Sequence, residues 1–339
     1  MDRRTFMQLA AGTAGLGLGG ARARAQEVIT WKAMAMHTNG ESYRKWAWLA
    51  EQLDQRTGGR IRLELTTVQE LGLTGTEVLR VLRTGLVDIA EANVSYVASD
   101  LPILEATEIP GLASSFDNGK DLLSAWMNDV VRPLEPQIGG KVLANFAWNS
   151  AYLFTREPLA SLSDLRGQKI RVYSPGLAAY VEAFGAEPIS MPISEVYSAL
   201  QRGVMDGLLT GSDQISALQL WEVTPALTDI NLAPFGAYVI VGQRSYNALP
   251  DDLKEIVDGL SQDLTDEGWR LGDANNQVGL NAARDHGMSL TIPAPAEWQP
   301  ELAAAAREHV VPMWSSRVGP DAVAAFNSVI GPISGVTID

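Results

Sequence analysis

TEVLRVLRTGLVD, Thr76–Asp88, and SEVYSALQRGVMD, Ser194–Asp206, align without a gap, sharing Glu, Val, Leu, Gly and Asp at matching places. Thr76 and Ser194 are expected to cap a helix through their hydroxyls. Gly85 and Gly203 are expected to take the left-handed position that ends it. Each Asp then opens a strand. Upstream lie similar strands, RIRL at Arg60–Leu63 and KIRV at Lys169–Val172. A strand–helix–helix–strand unit occurring twice predicts two related α/β lobes with a cleft between them. In open α/β sheets ligands sit beyond the carboxyl ends of the strands. That places Met36–His37, Glu91–Asn93, Trp148–Asn149, Arg171–Tyr173 and Leu208–Ser212 at the cleft.

The rest of the chain agrees with this plan. VITWKAM from Val28 reads as the first strand. Tyr43, Trp46, Leu49, Ala50 and Leu53 form one stripe of a helix stopped by Gly58–Gly59. RIRLELT and LVDIAEA are further strands, and LAPFGAYVIVGQ returns the chain to the first lobe. After Pro250, Leu253, Ile256, Val257, Leu260 and Leu264 mark a helix long enough to lie across both lobes. In KIRVYSPG, Ile170 and Val172 point into a core while Arg171 and Tyr173 point the other way. Either that face is plain solvent, or something anionic binds there.

The 339 residues are enough for two domains. There is no cysteine, so disulfides and thiolate chemistry are excluded. The net charge of −14 argues against nucleic acid or an anionic membrane surface as partner. His37, His286 and His309 lack metal-ligand spacing, and there is no G-x-S-x-G elbow, P-loop or dinucleotide fingerprint. No catalytic residue, metal or cofactor is therefore expected. At the N-terminus, Arg3 and Arg4 precede Phe6, a mild apolar stretch runs from Leu9 to Gly20, and Ala23–Ala25 supplies a small–x–small cleavage pattern. Residues 1–25 read as an export signal of twin-arginine type, with general secretion as the alternative, leaving a periplasmic protein.

SLSDLRGQKIRV, GAEPISMPISEVYSALQRGVMDG, WEVTPALTDI and ALPDDLKEIV follow one another here. With them the chain resembles the substrate-binding proteins of TRAP transporters, the DctP-like family, from about Val28 to Ile330. The resemblance implies a periplasmic-binding-protein fold with a long helix spanning both lobes. It implies lobe I from residues 26–148 plus about 236–275, and lobe II from 149–235 plus about 276–339. It also implies a binding protein, not an enzyme, that delivers an organic anion to TRAP permease subunits, with a monomer expected. An ABC-type or sensor-coupled binding protein is the nearest alternative, and a periplasmic enzyme a more distant one.

The resemblance implies that Arg171 holds the ligand carboxylate in a two-pronged salt bridge; the alternative is an exposed strand residue, like Arg62, its counterpart in the internal repeat. Asn93, Trp148, Asn149, Tyr173, Thr210, Ser212, Phe235 and Met36 complete the candidate ligand set, and Asp213 is expected to face away. The chain departs from sialic-acid-binding relatives, which carry a second arginine where Ala151 stands here. It also departs from many dicarboxylate and sialic-acid binders, which have Glu-Asn or Glu-Trp where Leu208-Leu209-Thr210 stand. A monocarboxylate with an apolar or aromatic body, packed by Trp148, Ile193 and Leu209, is expected.

Overall fold

A computed structural model describes residues 28–36 and 43–339. The export signal and His37 lie outside the described residues. The strands are β1 (Ile29–Ala35), β2 (Ile61–Thr67), β3 (Ile89–Asn93), β4 (Gly140–Thr155), β5 (Lys169–Val172), β6 (Glu187–Ser190), β7 (Gly207–Gly211), β8 (Ala226–Thr228), β9 (Pro234–Gly242) and β10 (Ser289–Thr291). Their main path runs β2-β1-β3-β9-β4-β7-β5-β6.

The two ends of that path repeat one design. In the first, parallel strands lie in the order β2-β1-β3, with helices Arg44–Thr57 and Val78–Thr84 between them in sequence. In the second, β6-β5-β7 repeat it with helices Pro175–Ala183 and Ile193–Gln201. Strands β3 and β7 are buried along their whole length, as parallel strands covered on both faces are, while the edge strands β2 and β6 are partly exposed. The Arg44–Thr57 helix buries Trp46, Leu49 and Leu53 as the stripe requires, and Gly58 ends it with φ 63°. Gly85 (φ 72°) and Gly203 (φ 68°) take the left-handed positions expected of them.

The repeat is real, but its strands match differently from the sequence expectation. Asp88 accepts the backbone N–H of Lys32 at 2.8 Å, and Asp206 accepts that of Lys169 at 2.9 Å. KIRV therefore corresponds to Lys32–Ala35 of β1, not to RIRL of β2. The counterpart of Arg171 is Met34, while Arg62 is an exposed residue of β2. The unit also contains a third strand, β2 or β6, between its two helices. Neither hydroxyl caps its helix. Thr76 Oγ1 bonds Thr74 Oγ1 at 3.0 Å, and Ser194 lies inside a helix that begins at Ile193 behind Pro192.

The antiparallel strands β9 and β4 join the two ends. β9 pairs β3 and then β4, returning the chain to the first half as expected. β4 pairs β9 along its first part and β7 and β8 along its last, with a register shift between Ala147 and Ser150. That irregularity sits where the chain passes from one half to the other. The predicted long helix is two helices, Asp251–Gly259 and Ser261–Asp285. The second runs along β4, touching the Arg44–Thr57 helix on one side and Gln214–Ala217 and β10 on the other, so it spans both halves.

Candidate functional site

Arg171 is the third residue of β5 and only 3% exposed. Its Nε donates to the carbonyl of Met191 at 3.2 Å and its Nη1 to that of Leu209, also at 3.2 Å. It has no side-chain carboxylate partner among the described residues. A guanidinium has five donor hydrogens, so the two carbonyls hold the group in place and leave a donor edge unused among the described residues. Tyr173 leaves β5 on the same side, its ring 5.4 Å from the guanidinium carbon. Ile170 and Val172 fill the core behind.

Arg171 lines a cavity of about 320 Å³ between the two halves. The first half contributes Met36, Tyr96 and the segment after β2 through Gln69, Thr74 and Thr76. The second contributes Tyr173 and Ser190–Ser194, which follow β5 and β6. A narrow extension of about 20 Å³ shares Arg171, Tyr96 and Ile193 with this cavity and is lined also by Trp148, Phe235, Thr210 and Asp213. Phe235 is the hub of its aromatic wall. Its ring lies 4.9 Å from Tyr173, 5.1 Å from Trp148 and 6.2 Å from Tyr96. A wider cavity of about 460 Å³ elsewhere contains Ala151 and Asp229, but no lysine or arginine lines it.

Of the nine residues expected at the site, Arg171, Met36, Tyr173, Trp148, Thr210 and Phe235 line these spaces. Three do not. Asn93 caps the turn at Val94 by accepting the Tyr96 N–H, and its amide donates to Gly236. Ser212 donates to Asn276 at 2.8 Å beneath the long helix. Asn149 lies one layer back, donating to Asp213 Oδ1 at 2.6 Å. Asp213 does not face away: it lines the narrow extension. Leu209 contributes its carbonyl to Arg171 while its side chain joins the core. Tyr238 is in the sheet, fully buried.

Tyr96, Gln69, Thr74, Thr76 and Gln214 escaped the sequence reading. The signal was available for most of them. Segments 68–76 and 190–194 lie at the carboxyl ends of β2 and β6, where the same strand-end rule places ligand contacts.

Met36, on the first-half side of the cavity, is backed by a buried polar cluster. Glu91 accepts the Met36 N–H and the Trp46 indole N–H, and it pairs with Lys45. The Lys45 ammonium lies 4.0 Å from the centre of the Phe146 ring. Burial pulls the Lys45 pKa down, and Glu91 opposes that shift. The Tyr173 hydroxyl is pushed up by burial, then by the charge of Glu108, with Arg171 opposing, so it is a neutral donor near the cavity.

The model of bacterial extracellular solute-binding proteins, family 7, matches residues 33–315. The chain is 26% identical over 298 residues to the C4-dicarboxylate-binding periplasmic protein DctP of Rhodobacter capsulatus, covering 85% of this chain and 86% of that one. It is 26% identical over 260 residues to the sialic acid-binding periplasmic protein SiaP of Vibrio cholerae, covering 74% and 78%. Among solved structures, a Bordetella pertussis extracytoplasmic solute receptor binding pyroglutamic acid superposes with a TM-score of 0.80 at 24% identity, over 91% of this chain and all of that one. Members of this family are binding receptors, not enzymes. They are periplasmic and work with TRAP membrane permease subunits on small organic acids. The chain belongs to the bacterial extracellular solute-binding proteins of family 7, the solute-binding proteins of TRAP transporters.

Proposed function

We propose that the chain captures a small monocarboxylate with a flat apolar or aromatic body and hands it to a TRAP permease. The observation that carries this reading is Arg171: a buried cation, held by two carbonyls, without a carboxylate partner among the described residues, in a cavity walled by aromatic rings. Burying an unpaired charge is costly, and a ligand carboxylate would supply the missing counter-charge through two parallel hydrogen bonds. Trp148, Phe235 and Tyr96 offer ring faces for the body of the acid. A second carboxylate would find no second arginine, since Ala151 lines a different cavity.

Both halves line the cavity, so closure about β4 and β9 would complete the site around the ligand. The proposed lobes are residues 26–148 with about 236–275, and 149–235 with about 276–339. A single chain supplies both walls, which supports delivery as a monomer. The paired Arg3 and Arg4 support export by the twin-arginine route.

The test is thermal unfolding against a panel of organic acids, beside Arg171→Ala. A ligand at about a hundred times its Kd adds roughly 2.7 kcal/mol to the folded state, a shift of several degrees. A shift with aromatic or cyclic monocarboxylates, absent in the variant, is the expected result. Shifts with dicarboxylates alone, or shifts that persist in Arg171→Ala, would overturn the reading.

A further inference from the structure

An anion binder has little use for a carboxylate beside its arginine, yet Asp213 and Arg171 line the same narrow space. Asp213 forms no ion pair among the described residues. It precedes the short helix Gln214–Ala217 but makes no side-chain capping bond there. Two neutral amides hold it instead. Asn149 Nδ2 donates to Oδ1 at 2.6 Å, and Gln214 Nε2 donates to Oδ2 at 2.7 Å. The carboxylate is thus fixed in position without being neutralised.

Asn149 backs this carboxylate. Its side chain is fully buried and lines neither space, and its Oδ1 has no hydrogen-bond partner among the described residues, so its role is to position Asp213. The amide orientation is fixed by its neighbour: turned over, Oδ1 would face the Asp213 carboxylate. Gly211, which lines the same space, lies beneath both groups. A Cβ on Gly211 would collide with Asn149 Oδ1 and with Asp213 Oδ1. Gly211 has no side chain because these two groups fill the space above it, and of the two only Asp213 also lines the narrow space. A carboxylate that already accepts two amide N–H groups keeps further acceptor capacity, and the group that suits it is an N–H donor.

We infer that Asp213, held in place by Asn149, is a specificity-determining residue that reads an N–H group, so the ligand carries a nitrogen donor as well as its carboxylate: a ring N–H, a lactam or an amine. This rests on the reading of Arg171 as the carboxylate anchor. The arginine holds the anionic end, and the Asp213 side holds the donor end. A ligand with an ether oxygen at that place would set lone pairs against the carboxylate. Sites built to bond a donor reject the analogue that lacks it.

The test is calorimetric titration with matched acids that differ only at that atom. Pyrrole-2-carboxylate is paired with furan-2-carboxylate, and 5-oxoproline with its lactone counterpart, 5-oxotetrahydrofuran-2-carboxylate. Each is measured on the native protein, Asp213→Ala, Asp213→Asn and Arg171→Ala. The N–H member of at least one pair is expected to bind about tenfold to a hundredfold more tightly than its oxygen partner, the range of one charge-assisted hydrogen bond. Asp213→Ala is expected to bring that ratio close to one, with the oxygen member binding no worse than before. Asp213→Asn keeps a neutral acceptor and is expected to fall between, which serves if the alanine variant does not fold. Arg171→Ala is expected to weaken both members alike.

Equal binding of the two members of every pair that binds, still lost in Arg171→Ala, would overturn the donor inference and leave the carboxylate anchor standing. A preference for N–H that survives in both Asp213 variants would overturn the role of Asp213. No binding of any of these acids to the native protein would overturn both the anchor reading and the inference built on it.

Discussion

The Nη1 atom of Arg171 donates to the carbonyl oxygen of Leu209 at 3.2 Å, tying the arginine of β5 to the backbone of its neighbour β7. With the Nε bond to Met191, this fixes the guanidinium plane before any ligand arrives. Preorganisation of this kind reduces the ordering cost of binding.

The fork, more than the charge, should then carry the affinity. Lysine at this place keeps a cation but has no planar pair of donors and cannot hold both carbonyls in one plane. Arg171→Lys is expected to weaken binding of the best acid by about tenfold or more, corresponding to one lost charge-assisted hydrogen bond. The melting point of the ligand-free variant should stay within a few degrees of the native protein. Calorimetry beside a thermal melt checks both, and affinity unchanged in the lysine variant would show that a point charge suffices.

Glu108 links stability to pH. Burial pushes its carboxyl well above the usual carboxylate range, and the nearby charge of Glu105 adds to this, against the Gly236 N–H bond that favours the ionised form. Tyr173 and Tyr238 feel its charge. A pKa raised in the folded state means that the folded protein holds this proton more tightly than the unfolded chain. The resulting contribution is complete below the ordinary carboxylate pKa and is lost as pH rises through the raised value. Glu108→Gln can keep both contacts, accepting from Gly236 N–H and donating to Ser95 Oγ in place of accepting from it. The melting points of variant and native protein should coincide at pH 3 to 4 and separate above it, the variant melting higher at pH 8. Parallel melting curves across that range would remove Glu108 from the account.

The sequence carried the architecture because the repeated unit is a chain of local signals: strand runs, one helix stripe, a left-handed glycine, an aspartate at fixed spacing. It did not carry the matching of strands between halves. RIRL and KIRV look alike as letters, but the Lys32–Asp88 and Lys169–Asp206 contacts that define the match are long-range. The face of Leu209 was illegible for a related reason. All five residues of β7 are buried, so no alternation separates the side chain that enters the core from Thr210, which enters the cavity. Asp213 was misjudged because a lone carboxylate near an anion site reads as repulsion. Its Asn149 and Gln214 clamp comes from β4 and from the residue that follows it, and the β4 part appears only in three dimensions.

The helix Ser261–Asp285 sits against β4 with glycines at the contact. A Cβ on Gly272 would collide with the carbonyl oxygen of Ala147, and one on Gly268 with the Cβ of Phe146. Backbone cannot step aside as a flexible side chain can. Ala147 also begins the irregular stretch of β4 that leads to Trp148, whose carbonyl accepts from Asn275 one turn further along the same helix. Alanine is the better helix former by about 1 kcal/mol, so propensity alone predicts that Gly272→Ala stabilises. Overpacking of a filled contact costs about 1–3 kcal/mol, and here the neighbour is main chain. The expected result is a lower melting point for Gly272→Ala. Gly259 ends the preceding helix with nothing within 4 Å of its notional Cβ, so Gly259→Ala should be neutral or slightly stabilising. Measured side by side, opposite signs mean that close packing on β4 outweighs helix propensity at position 272. Equal signs mean that the long helix rides farther from the strand than these contacts require.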